Sequence, residues 1–335
     1  MQGVSRARME ECDMRVFVAG ATGALGRRLV PLLVSAGHSV VGLTHKAANA
    51  AAIQVLGAEA VVADGLDARE IGAAVASAKP DAIVHEMTDL KEVSDLRHFD
   101  RTFAVSNRLR MAGTDHLLTA AREVGVKRFI AQSFCGWPYA RTGKAIKSES
   151  EPLDSEPPEE LRRTLDAIKY LECATATSST PEGIVLRYGA FYGFDTGLFD
   201  GPMLEQIRRR RAPVIGDGNG WWSFVQIDDA AKATALAIER GRAGNIYNIV
   251  DDEPAPVREW LPALAKMLGA KPPLHIPAWL ARIIVGEHLV VMMTQVRGGS
   301  NAKAKRELGW QPEFSSWRQG FAEALEHRLQ DKQAA

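Results

Sequence analysis

From Met14 onward the hydrophobic positions follow two alternating rhythms. Short runs rich in Val, Ile and Ala, at residues 15–19, 39–43, 60–63, 82–85, 128–132 and 183–187, read as strands. Between them, apolar residues recur at intervals of three and four. Leu25, Leu29, Leu32, Leu33 and Ala36 follow the first run, and Leu109, Ala112, Leu117, Leu118 and Ala121 precede the fifth. That spacing puts them on one helical face, and Gly37 and Gly125 stand where a helix C-terminus favours a left-handed residue. Strand and helix in alternation predict an α/β fold: a Rossmann-type doubly wound parallel sheet with helices on both faces.

The acidic, proline-rich stretch from Glu149 to Pro158 reads as a surface loop ahead of a helix over 159–177. Beyond the sixth strand, residues 193–201 are loop-like and 203–211 helical; a further strand over 223–227 leads to a helix from Asp228 and then to a strand over 246–250. The expected organisation is a disordered tail (1–13), a Rossmann body (14–187) and a smaller C-terminal domain or lid (188–330), with 223–251 returning to the body.

Composition narrows the partners. The 335 residues carry 41 basic and 41 acidic side chains, so no net field gathers nucleic acid or an anionic membrane. Cys12, Cys135 and Cys173 are too scattered for a disulfide framework, which fits a reducing, cytoplasmic setting. The eight histidines show no HxxxH or HExxH spacing, so no metal site is expected. The apolar stretch 279–293, interrupted by Arg282, Glu287 and His288, falls short of the ~20 residues that span a bilayer. It reads as a buried or interface helix, and a homodimer is compatible with it.

The sharpest motif is the run from Val16 to Gly26, VFVAGATGALG, a strand feeding a helix through Gly20, Gly23 and Gly26. Gly20 and Gly23 allow a tight turn and close approach of backbone N–H groups to a pyrophosphate, and Gly26 allows helix and strand to pack closely. Thr22, Ala24 and Leu25 complete the cradle. At the end of the second strand stand Thr44, His45 and Lys46, with no carboxylate to accept a ribose 2′-hydroxyl; this charge logic favours NADP(H) over NAD(H).

The GxxGxxG spacing, the VADGLD run at 62–67, the LRYGAFYG run at 186–193, Gly216-Asp217-Gly218 and Ile227-Asp228-Asp229-Ala230 together resemble the extended and atypical short-chain dehydrogenase/reductases, the NAD-dependent epimerase/dehydratase family. The resemblance runs from Met14 to about Leu325. It implies that Asp64, with Gly65, holds adenine, that Lys169 binds the nicotinamide ribose, and that Tyr188, Gly189 and Phe191 lie beside the nicotinamide. It also implies a Ser, Tyr and Lys catalytic set, in which the ammonium lowers the phenol's pKa from four residues along the same helix.

That set is incomplete, because the chain contains no YxxxK. Lys169 is in place, but Leu165 stands where the tyrosine belongs. Ser133, at the end of the fifth strand, is the serine candidate, and Tyr139, on the loop that follows, is the substitute proton donor or a wall of the site. Arg110 replaces the family's helix asparagine and is a candidate for an acidic substrate group. Trp222 replaces an arginine that clamps diphosphates in nucleotide-sugar enzymes of the family, which favours a non-nucleotide substrate; Trp137 and Tyr192 complete the expected substrate wall. Three readings stay open: an oxidoreductase moving hydride to or from a small carbonyl or alcohol, an epimerase or dehydratase that recycles tightly bound NAD(P), and a non-catalytic NAD(P) sensor.

Overall fold

The computed structural model describes residues 13–89, 98–196 and 202–334. The tail expected over 1–13 lies almost wholly outside them, as do the last five residues of the loop expected over 193–201. Seven parallel strands form the central sheet: β1 (Arg15–Ala19), β2 (Ser39–Thr44), β3 (Glu59–Val62), β4 (Ala82–His85), β5 (Arg128–Phe134), β6 (Glu182–Tyr188) and β7 (Ile246–Ile249). Their order is β7-β6-β5-β4-β1-β2-β3, so the chain reverses direction across the sheet between β1 and β4. In such a fold the crevice at the carboxyl ends of these two strands is where a dinucleotide binds.

Both sheet faces are covered, which is why the strands read as continuous apolar runs. Leu25, Leu29, Val30 and Leu33 of the first helix pack on one face with Ala230, Ala233 and Ala237. Ile71, Val75, Leu117, Leu118 and Leu171 cover the other. A separate apolar cluster gathers Leu204, Val214, Phe224, Trp260, Leu264, Trp317 and Phe321 beyond β6.

Three sequence expectations change. β5 runs two residues further than the hydrophobic run, to Phe134. The helix expected over 203–211 is Pro202–Arg208. The stretch 279–293 forms two helices, Ala278–Val285 and Glu287–Thr294, broken at Gly286; the second buries Val290, Val291 and Met292, whereas the first exposes Trp279, Ile283 and Ile284. Among the described residues no helix is long and apolar enough to cross a membrane.

Candidate functional site

β1 leads into Gly20, whose φ of +105° is open to glycine at no steric cost. A Cβ there would lie 2.8 Å from the Glu86 carbonyl carbon, so the turn is pressed against the end of β4. The Gly23 N–H donates to the Gly20 carbonyl at 2.9 Å. At Gly26 a Cβ would sit 2.4 Å from that same carbonyl oxygen, so the helix Gly26–Ser35 starts in direct contact with the turn. No side chain caps this helix. Thr22, Gly23 and Ala24 are half-exposed over it, while Leu25 is buried beneath. An uncapped helix N-terminus and a cradle that any Cβ would fill suit the pyrophosphate of a dinucleotide.

On one side of the turn, the Thr44 hydroxyl accepts the Lys46 N–H at 3.3 Å, and His45 and Lys46 themselves are exposed. Asp64 folds its carboxylate back onto the Leu66 N–H at 2.9 Å, and Gly65 is buried against Met87. On the other side, His85 and Glu86 close β4. Burial pushes the His85 imidazole down to about 4, so it is neutral near pH 7, and holds the Glu86 carboxyl well above its usual range. Tyr188 donates toward Glu86 at 3.4 Å and meets the Thr234 hydroxyl at 2.7 Å; its ring lies 5.3 Å from the half-exposed Phe191. Gly189 is buried where a Cβ would meet the Ser223 carbonyl.

The expected catalytic residues do not converge. Ser133 is buried, and its hydroxyl donates to Glu172 at 2.6 Å. Side chains alternate along a strand, so it is the next residue, Phe134, that lines the cleft. The Tyr139 side chain is fully buried; its hydroxyl donates to Asn248 at 2.8 Å and accepts from Arg187 at 3.0 Å, and burial raises its pKa. Both hydrogen-bonding directions of this phenol are therefore engaged inside the protein. Arg187 also makes a two-pronged ion pair with Glu172, at 2.7 and 2.6 Å. Ser133, Arg187 and Asn248 are register partners on β5, β6 and β7, so these side chains form a polar bar across the sheet. Lys169 is half-buried and donates to the Asp154 carbonyl at 2.7 Å; Leu165, one turn before it, has no exposed surface.

Beside Phe134 opens a cleft of about 320 Å³, its open mouth included, walled by Trp137, Ala190, Trp222, Met292 and Val296. The Trp222 indole N–H is satisfied by the Met292 carbonyl at 3.0 Å, and its ring packs against Trp260 and Phe224, with centroids 5.4 and 6.3 Å away. Tyr192 is not part of this wall. It is buried with Phe321, ring centroids 5.2 Å apart, and its hydroxyl lies against the buried Asp251 carboxyl. Arg110 is half-buried near His85 and is held by Asn107. Phe134, Glu86 and the Glu172–Arg187 pair escape a reading of the sequence: strand parity alone could have flagged Phe134, and a charge ending the apolar run AIVHE could have flagged Glu86.

The sequence model of the NAD dependent epimerase/dehydratase family matches residues 16–250. A "3-diazoavenalumate denitrifying reductase" of a Streptomyces species is 39% identical over 310 residues, covering 92% of this chain and 99% of the relative. A "4-hydroxy-2-methyl-3-oxo-4-farnesyl-3,4-dihydroquinoline-1-oxide ketoreductase" of Stigmatella aurantiaca is 27% identical over 318 residues, covering 89% and 92%. The crystal structure of the Thermotoga maritima UDP-glucose 4-epimerase with UDP-glucose superposes with a TM-score of 0.73 at 22% identity, covering 95% of this chain and 99% of that one; it shares the fold. With the glycine turn at the β1/β4 crevice and these relatives along its length, the chain belongs to the NAD dependent epimerase/dehydratase family and is an NAD(P)-dependent oxidoreductase or epimerase.

Proposed function

We propose that this chain is an NADP(H)-dependent reductase that delivers hydride to a small, planar aromatic substrate of the diazo class, in a reaction that draws no proton from the protein. The observation that carries this reading is the buried Leu165, one turn before Lys169, where a proton-donating tyrosine would stand. Tyr139 does not replace that tyrosine, because both of its hydrogen-bonding directions are taken inside the protein. A carbonyl taking up hydride needs a proton on oxygen. An aryl diazonium carbon needs only the hydride: the new C–H bond forms as the C–N bond breaks, and dinitrogen leaves with the bonding pair. The name of the Streptomyces relative, a denitrifying reductase of a diazo compound, supports the same class.

In this reading Gly20, Thr22, Gly23, Ala24, Leu25 and Gly26 hold the pyrophosphate, Lys46 pairs with the 2′-phosphate, and Asp64 and Gly65 hold adenine. Lys169 serves the ribose, and Tyr188, Gly189 and Phe191 flank the nicotinamide, the hydride source when bound. Phe134, Trp137 and Trp222 line the cleft, and aromatic walls favour a planar aromatic substrate. The test is loss of NADPH absorbance with an aryl diazonium salt, using deuteride-labelled NADPH. The label should appear on the ring carbon, with kcat flat across pH 6 to 8, a window of roughly the span in which an essential acid would show. Reduction of a ketone panel with no turnover of the diazonium would defeat the reading.

A further inference from the structure

Among the described residues, Arg187 and Arg110 both turn their guanidiniums inward, and they are treated differently. Arg187 is fully neutralised by Glu172. Arg110 is not: among the described residues no carboxylate pairs with it, and its one side-chain acceptor is the Asn107 amide oxygen at 3.1 Å. A guanidinium carries five N–H donors, so most of its hydrogen-bonding capacity is unspent. Burial pulls its pKa down to about 10, which leaves it charged at neutral pH.

The side chain is also deliberately aimed. It projects from a single π-helical turn, Leu109–Gly113, and such turns recur at functional sites. The Thr114 hydroxyl donates to the Arg110 carbonyl at 2.6 Å, tying the turn down. Asn107 is oriented in turn, since its amide donates to Thr164 at 2.9 Å and the Thr164 hydroxyl donates to Asp100 at 2.6 Å. This relay fixes one edge of the guanidinium beside the carboxyl end of β4. The facing titratable group is His85, which is neutral and supplies no counter-charge. An enclosed cation that is oriented, half-accessible and without a counter-ion is poised for an anion from solution.

We infer that Arg110 is an oxyanion anchor beside the carboxyl end of β4, pairing with a carboxylate of the substrate or a phosphate of the dinucleotide. This rests on the proposed function only in taking a dinucleotide and an aromatic acid as the ligands, and its test needs no turnover. Wild-type protein, Arg110→Gln and Arg110→Lys are titrated with four probes. Cinnamate and methyl cinnamate are followed by tryptophan fluorescence, and NADPH and inorganic pyrophosphate by calorimetry. If the anion belongs to the substrate, Arg110→Gln weakens cinnamate about 10- to 100-fold, Arg110→Lys restores part of the affinity, and the ester binds all three proteins alike. If it belongs to the dinucleotide, NADPH and pyrophosphate weaken by a similar factor and cinnamate does not. Removing an unpaired enclosed charge should leave the melting temperature of Arg110→Gln unchanged or raised. A lowered melting temperature, or wild type binding no anionic probe more tightly than Arg110→Gln, overturns the inference.

Discussion

Replacing Tyr139 by Phe separates a structural phenol from a catalytic one. The ring is fully buried and would stay, along with its packing under the Arg187 guanidinium, 5.1 Å from the centroid, so no cavity opens. What disappears is the oxygen that donates to Asn248 and accepts from Arg187. One buried amide oxygen and one buried guanidinium N–H are left facing carbon. A neutral hydrogen bond contributes about 1 kcal/mol and a bond to a charged group about 1.5–3 kcal/mol. The variant should therefore lose about 2–4 kcal/mol of folding stability, measured by urea unfolding, and retain kcat on the diazonium substrate. Removing a true proton donor would instead cost about 10²- to 10⁴-fold in kcat. A fall of that size with stability intact would refute the assignment of Tyr139 to the polar bar, and with it the case for hydride transfer without a protein acid.

Gly26→Ala forces a Cβ to within 2.4 Å of the Gly20 carbonyl oxygen, so the turn must move; NADPH affinity should drop at least about tenfold and the melting temperature should fall, and unchanged affinity in a fluorescence titration would count against the turn. Lys46→Glu should weaken NADPH by about tenfold or more and NADH much less; equal weakening of both would remove the 2′-phosphate from Lys46. His85 titrates near 4 in the folded protein and near 6.5 unfolded, so the unfolded chain binds more protons between those values and stability falls on acidification through that window, by about 3 kcal/mol in all. Glu86 acts in the opposite direction: its folded pKa is raised, so its contribution erodes as pH climbs above the normal carboxylate range. Urea unfolding across pH should show the acid-side slope flattened in His85→Gln and the base-side slope flattened in Glu86→Gln; unchanged slopes would contradict the directions assigned to the two groups.

Most of the sheet was legible because a parallel strand buried on both faces announces itself as an apolar run, and the glycine turn because its spacing is local. The side chains that needed a distant partner were not. Tyr139 looks like a loop residue at the mouth of the site until its backbone pairs with Leu153 and its hydroxyl meets Asn248, 109 residues further on. Tyr192 sits in a motif tied to the nicotinamide, but its ring belongs with Phe321 of the last helix. Ser133 was misplaced by parity: β5 continues to Phe134, and one residue of register decides which neighbour faces the cleft. Trp137 and Trp222, by contrast, both line the cleft.

The polar bar across β5, β6 and β7 constrains how this chain can diverge. Loss of Glu172 alone strands the Arg187 charge in the interior, and loss of Arg187 alone strands the Glu172 carboxylate together with the Tyr139 hydroxyl. Either step passes through a form destabilised by about 3–5 kcal/mol, whereas replacing the pair together with apolar residues need not. The two positions should therefore change as a unit among relatives. Chains that have exchanged both for hydrocarbon would be free to vary at Ser133, Tyr139 and Asn248 as well.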